Sequence, residues 1–155
     1  MTVPKRVVLI VTVRAFMADD ITGINKLLNN ELEKEVSADE LNATVSDMMG
    51  DENYRIFVAE HNNEIVGFIG VHFGVAFENK GKVMRIIALA VKESYQHQGI
   101  GTELLEAAEK CAAQNEASVI GVNSGLQRVN AHSFYEKQKF VKKGYSFTKN
   151  IELAE

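Results

Sequence analysis

The stretch Gln96-His97-Gln98-Gly99-Ile100-Gly101-Thr102 stands between an apolar run, Val83 to Val91, and a strongly patterned segment from Gly99 to about Asn115. The first reads as a strand and the second as a helix. Ile100, Leu104, Leu105, Ala108, Cys111 and Ala112 recur at helical spacing along one face, while Glu103, Glu106, Glu109 and Lys110 lie largely elsewhere. Two glycines one residue apart let the backbone turn tightly with its amides uncovered. The helix adds its own unpaired N–H groups and the positive end of its dipole. A strand, a glycine turn and a helix in this order make a socket for a phosphate or diphosphate.

Working outward, Val7 to Arg14 is rich in valine and reads as a first strand. Ile21, Ile24, Leu27, Leu28 and Leu32 predict a helix. Ser37-Ala38-Asp39-Glu40 matches a capping box opening a second helix, with Leu41, Val45, Met48 and Met49 on its apolar face and Gly50 as its stop. Arg55 to Glu60 and Ile65 to Phe77 read as a hairpin about the turn His61-Asn62-Asn63-Glu64. Asn79-Lys80-Gly81 is a further turn before the Val83 strand. After the long helix, Ser118 to Asn123 reads as a strand, Asn130 to Lys139 as a short helix, and Phe140 to Lys149 as one or two strands. Short turns make the middle strands antiparallel. The crossover from Val83 to Asn123 makes its two strands parallel or splayed. The expected fold is mixed α/β, with helices on both faces of the sheet.

Composition bounds the function. The 155 residues fit one domain, 1–155, and the formal charge of −4 lacks the basic footprint of a nucleic-acid binder. The single cysteine, Cys111, falls on an apolar helix face and reads as a buried thiol. No run approaches the ~20 apolar residues of a membrane helix. Val7 to Val13 follows Lys5-Arg6 but is too short and valine-rich for a secretory core, so cytoplasm is expected. No nucleic-acid, membrane or metal partner is expected.

The phosphate carrier narrows by elimination. A P-loop needs a lysine after its last glycine, and Thr102 follows Gly101. A dinucleotide fingerprint needs a third glycine where Leu104 stands. A glycine-eased turn with no ligand stays open on these residues alone.

Context favours a ligand. Gln96, Gly99 and Gly101 fill the pattern [Gln/Arg]-x-x-Gly-x-[Gly/Ala]. Leu89-Ala90-Val91 supplies an L-x-V-like strand end before it. Asn130-Ala131-His132-Ser133-Phe134-Tyr135-Glu136-Lys137-Gln138-Lys139-Phe140 is similar to an N-x-x-x-F-Y-x-x-x-G-F run, with Lys139 where glycine is commoner. In both motifs, their separation and the order of elements over nearly the whole chain, the sequence resembles the GNAT superfamily of N-acetyltransferases. The resemblance implies a central, mostly antiparallel sheet of six or seven strands with strands 4 and 5 splayed. It implies acetyl-CoA as co-substrate, its diphosphate held by the amides of His97, Gln98, Gly99, Ile100, Gly101 and Thr102. Gln96 or Gln98 is a candidate side-chain donor. Pantetheine would run along Leu89, Ala90 and Val91, with an amide near Leu89 or Ala90 at the thioester carbonyl, and Asn130 would bind the same arm or cap its helix. Tyr135 would protonate the departing thiolate, against the alternative that it only packs beside Phe134.

A small-molecule amine is the expected acceptor. A peptide or protein amine, or a non-catalytic acyl-CoA sensor on the same fold, is the alternative. The general base is not legible among Glu31, Glu35, Glu60, His72 and Glu78. Asn123 and Ser124 are further pocket candidates, and the C-terminal strands are open to a homodimer contact.

Overall fold

The computed structural model describes residues 9–154. The chain separates into two units, Met1–Val122 and Asn123–Glu155. The first holds β1 (Thr12–Ala15), α1 (Ile21–Glu31), α2 (Ala38–Met49), β2 (Tyr54–His61), β3 (Glu64–Gly74), β4 (Lys82–Val91), α3 (Ile100–Gln114) and β5 (Ala117–Val122). The second holds α4 (Val129–Lys137).

The sheet is ordered β1-β2-β3-β4-β5, with β4 and β5 parallel and the other pairs antiparallel. Local chemistry sets its turns. Asn62 and Asn63 sit at φ 49° and 62°. Two left-handed residues make the hairpin turn whose twist matches its strands, and asparagine tolerates that region better than most residues. Ser37 and Glu40 close the expected capping box on α2: the Glu40 amide donates to Ser37 Oγ and the Ser37 amide to Glu40 Oε2, both at 3.1 Å.

Helices cover both faces. Ile24 and Leu27 of α1 and Leu41 and Val45 of α2 pack with Ile56, Val58, Phe68 and Ala90 of the sheet. On the opposite face lies α3, whose Ile100, Leu104, Leu105, Ala108, Cys111 and Ala112 are all buried. Gly67 marks how close α3 comes. A Cβ there would stand 3.1 Å from Leu104 Cδ1 and 3.2 Å from the Ala90 carbonyl oxygen.

Three boundaries differ from expectation. The first strand is only Thr12–Ala15; Val7 and Val8 lie outside the described residues. Its partner β2 runs out at Glu60, beyond which His61 pairs with Glu64 in the hairpin. β3 stops at Gly74, where its ladder with β4 ends opposite Val83, so Val75 and Phe77 are exposed loop residues. Five strands form among the described residues instead of six or seven, because 140–149 joins no ladder. A strand exists only through main-chain bonds to a neighbour, and local β propensity does not supply one.

Candidate active site

The site begins where β4 loses its partner. The β4–β5 ladder runs from Lys82 opposite Ala117 to Ile86 opposite Val122 and stops. From Ile87 to Val91, β4 has no strand beside it on that edge among the described residues, which is the divergence expected of strands 4 and 5. On its other edge, β4 continues along β3 to the pair Gly67 and Val91. One residue marks the break on both sides. Gly70 faces Ala88 and Val71 faces Ile86, so Ile87 is an extra residue bulged out of the β3–β4 ladder.

Strand alternation then assigns the main-chain groups. The Lys92 amide donates to the Val66 carbonyl on β3 at 2.8 Å. Successive residues point their N–H and C=O to opposite edges. Ala90 therefore faces β3, while Leu89 and Val91 turn both groups toward the edge that β5 has left. The Val91 carbonyl there is taken by Gln96 Nε2, and the Leu89 groups with the Val91 amide are left to accept an extended ligand as an added strand.

The turn after β4 is built for exposed amides. Glu93–Tyr95 form one helical turn, Gln96 is extended (φ −69°, ψ 160°), and His97 is left-handed at φ 63°. Gly99 caps α3 at φ 87°, ψ 2°, and no side chain bonds the cap. A Cβ built on Gly99 would meet nothing within 4 Å. The first main-chain bond of α3 runs from the Glu103 amide to the Gly99 carbonyl, at 3.0 Å. The amides from His97 to Gly101 precede that first bond and lie at the positive end of the helix dipole. His97, Gln98 and Gly99 are exposed, Gly101 and Thr102 half-buried, and Ile100 is buried, anchoring the turn to the core.

Two of the expected side chains are used differently. Gln96 Nε2 donates to the Val91 carbonyl at 2.8 Å and reaches Glu31 Oε2 at 3.5 Å. It holds the turn against the strand end, and its nitrogen is turned to the protein. Gln98 Nε2 reaches back to the Ser94 carbonyl at 3.5 Å.

The second unit carries Asn130 and Tyr135. Asn130 is exposed and sits one residue inside α4, whose cap residue is Arg128, so Asn130 is not the cap. Tyr135 is the buried residue of α4, at 8% exposure. Its ring lies 5.4 Å edge-to-face from both Phe134 and Phe140. Burial pushes its phenol above the usual tyrosine range, and nearby Arg128 pulls the other way. A phenol in that state stays protonated and able to donate. Lys139 is left-handed at φ 70°, and the Phe140 amide bonds the Tyr135 carbonyl at 3.0 Å. The helix thus ends as it would with the commoner glycine. Ser124 Oγ is buried with no hydrogen-bond partner among the described residues.

Of the base candidates, Glu60 is committed to Arg14 Nε at 2.8 Å. The His72 ring packs 4.5 Å from Tyr54. Glu35 and Glu78 are exposed. Glu31 accepts the Glu93 amide at 3.0 Å. That remote contact joins residues 62 positions apart, and no local pattern announces it. The bulge at Ile87 was equally silent, since the apolar run Val83 to Val91 gives no sign of an extra residue.

Residues 21–140 match the sequence model of the Acetyltransferase (GNAT) family. Aminoalkylphosphonate N-acetyltransferase of Salmonella typhimurium is 31% identical over 128 residues, which cover 83% of this chain and 80% of that protein. The crystal structure of a protein described as a transcriptional regulator from Bacillus halodurans has a TM-score of 0.83 at 21% identity, covering 91% of this chain and 99% of that one. An aminoglycoside N-acetyltransferase in complex with CoA has a TM-score of 0.83 at 12% identity, covering 98% and 100%. At these identities the two structures speak for the fold. No helix among the described residues is long and apolar enough to cross a membrane.

Proposed function

The chain belongs to the GNAT acetyltransferase family and is an acyl-CoA-dependent acetyltransferase; from that premise we propose that it moves an acetyl group from acetyl-CoA to a small primary amine by direct attack. The observation that carries this reading is the open edge of β4 at Leu89 running into a left-handed turn whose His97–Gly101 amides precede the first main-chain bond of α3. Pantetheine lies along Leu89 and Val91, and the diphosphate rests on the amides between His97 and Thr102. This geometry fixes the thioester relative to β4, which turns an encounter between two molecules into a reaction at a held carbon.

The neutral amine attacks the thioester carbonyl carbon. A C–N bond forms, and the carbonyl electron pair moves to oxygen, where the Leu89 amide stabilises it. The intermediate collapses, the C–S bond breaks, and the sulfur takes the electron pair. Tyr135 gives its phenolic proton to that thiolate; its place in the F-Y run and its raised pKa support the role. The attacking nitrogen, cationic in the intermediate, loses its proton to water, and water returns a proton to the Tyr135 phenolate. Asn130 binds the pantetheine arm. The reading takes residues 1–155 as one catalytic domain working in the cytoplasm.

The acceptor class rests on the aminoalkylphosphonate-acetylating relative. The test is thiol release from acetyl-CoA across a panel of aminoalkylphosphonates, aminoglycosides, polyamines and peptides bearing a free amine. Turnover with a small amine is expected. Turnover confined to peptides would refute the acceptor class, and CoA binding without turnover on any amine would refute the transfer.

A further inference from the structure

We propose that Glu31 is a positioning residue for the coenzyme, a brace that ties the end of α1 to the turn presenting the diphosphate amides; the inference rests on the function proposed above. Glu31 is the last residue of α1. Its carboxylate crosses to the turn after β4 and makes two contacts there. Oε1 accepts the Glu93 amide at 3.0 Å, and Oε2 lies 3.5 Å from Gln96 Nε2.

The first contact caps a helical turn from outside. Glu93 opens the one-turn helix Glu93–Tyr95, and its preceding residue, Lys92, offers no side-chain cap. The amide at that position has no partner of its own within the helix. The second contact reaches the same Gln96 nitrogen that donates to the Val91 carbonyl at 2.8 Å. Glu31 therefore bears on both ends of the segment: the last edge-facing residue of β4 and the residue that opens the glycine turn.

Two features argue that the contact has a purpose. A carboxylate at the C-terminal end of a helix faces the negative end of its dipole, so α1 itself gains nothing from it. A carboxylate near an anion socket also opposes the anion, unless its charge is taken up by donors. Here those donors are the Glu93 amide and Gln96, with the Lys92 ammonium nearby; that group is itself held above its ordinary range, chiefly by Glu64, with a smaller contribution from Glu31. The backbone that presents Glu31 is held in turn, since the amides of Leu32 and Lys34 both close on the Leu28 carbonyl, at 3.2 and 3.1 Å.

The test combines coenzyme binding, steady-state kinetics and amide exchange on the full chain. In Glu31→Ala, the Kd for CoA rises about tenfold while kcat at saturating acetyl-CoA stays within twofold. Glu31→Gln keeps an oxygen for the Glu93 amide and stays within threefold of the parent protein. The losses in Glu31→Ala and Gln96→Ala do not add in the double variant. Without ligand, the Glu93 amide of Glu31→Ala exchanges at least tenfold faster, while amides of α3 keep their protection; this separates a lost brace from a destabilised fold. Unchanged exchange at Glu93, additive losses, or a fall in kcat with Kd unmoved would each overturn the inference. A parent protein that binds no CoA overturns the proposed function and this inference with it. Parent binding with an unaltered Glu31→Ala overturns this inference alone.

Discussion

Replacing Gly99 by alanine separates backbone strain from ligand contact, because the first is read without ligand and the second only with it. Gly99 sits at φ 87°, ψ 2°, a region an L-residue enters at a cost of roughly 1–2 kcal/mol. The added methyl group meets no protein atom within 4 Å, so no packing clash adds to that cost. The Gly99 carbonyl still accepts the Glu103 amide. For a chain of this size, each kcal/mol lowers Tm by about 2–4 °C, so a drop of roughly 2–8 °C is expected without ligand. The proposed function puts the diphosphate in the open space beside Gly99. A methyl group there holds the anion off the amides, and the affinity for CoA should fall at least tenfold, about 1.4 kcal/mol. Thermal melts of the free protein read the first effect. Calorimetric titration with CoA, well below the variant's Tm, reads the second. A lowered Tm with unaltered CoA affinity would place the diphosphate elsewhere. An unaltered Tm would refute the strain argument itself.

Tyr135→Phe should lower kcat by about 100-fold or more, with the KM for acetyl-CoA unchanged. Burial raises the phenol above the usual tyrosine range, with Arg128 opposing, so the alkaline fall of kcat lies above that range; the fall should vanish from the phenylalanine variant's pH profile. Asp20 is 4% exposed and accepts two bonds from Arg14 and one from the Met17 amide, all at 2.8 Å. Burial alone would raise its carboxyl, and these bonds overcome that and hold it below the usual range. Its stabilisation is present above the ordinary carboxylate pKa and is lost as pH falls through the folded value. Asp20→Asn should cost roughly 3 kcal/mol at pH 7 and flatten that acid limb in urea titrations. Lys139→Gly should instead raise stability by about 1 kcal/mol, measured by urea melts, because φ 70° strains any side chain.

What could be read in advance was local chemistry. The Ser37–Glu40 box, the Asn62-Asn63 turn, the buried stripe of α3 and the glycine at its start are each decided by residues within one turn of each other. The glycine turn and its neighbouring strand end were therefore legible, and with them the family. What escaped depends on partners distant in the chain. The bulge at Ile87 exists only through pairing with Gly70 and Val71. Gln96 looked like a phosphate donor because its type suits that work; its commitment to Val91 and Glu31 comes from how α1 meets the turn. The expected strand over Phe140–Lys149 failed for the related reason that a strand is a property of a pair.

The most direct measurement is a titration of isotope-labelled protein with CoA, following every main-chain amide by NMR. The largest shifts should fall on Leu89, Val91 and the amides from His97 to Thr102, with Ala90, turned toward β3, moving far less. Saturable binding that leaves those amides in place and shifts another surface, or no binding at all, would contradict the account.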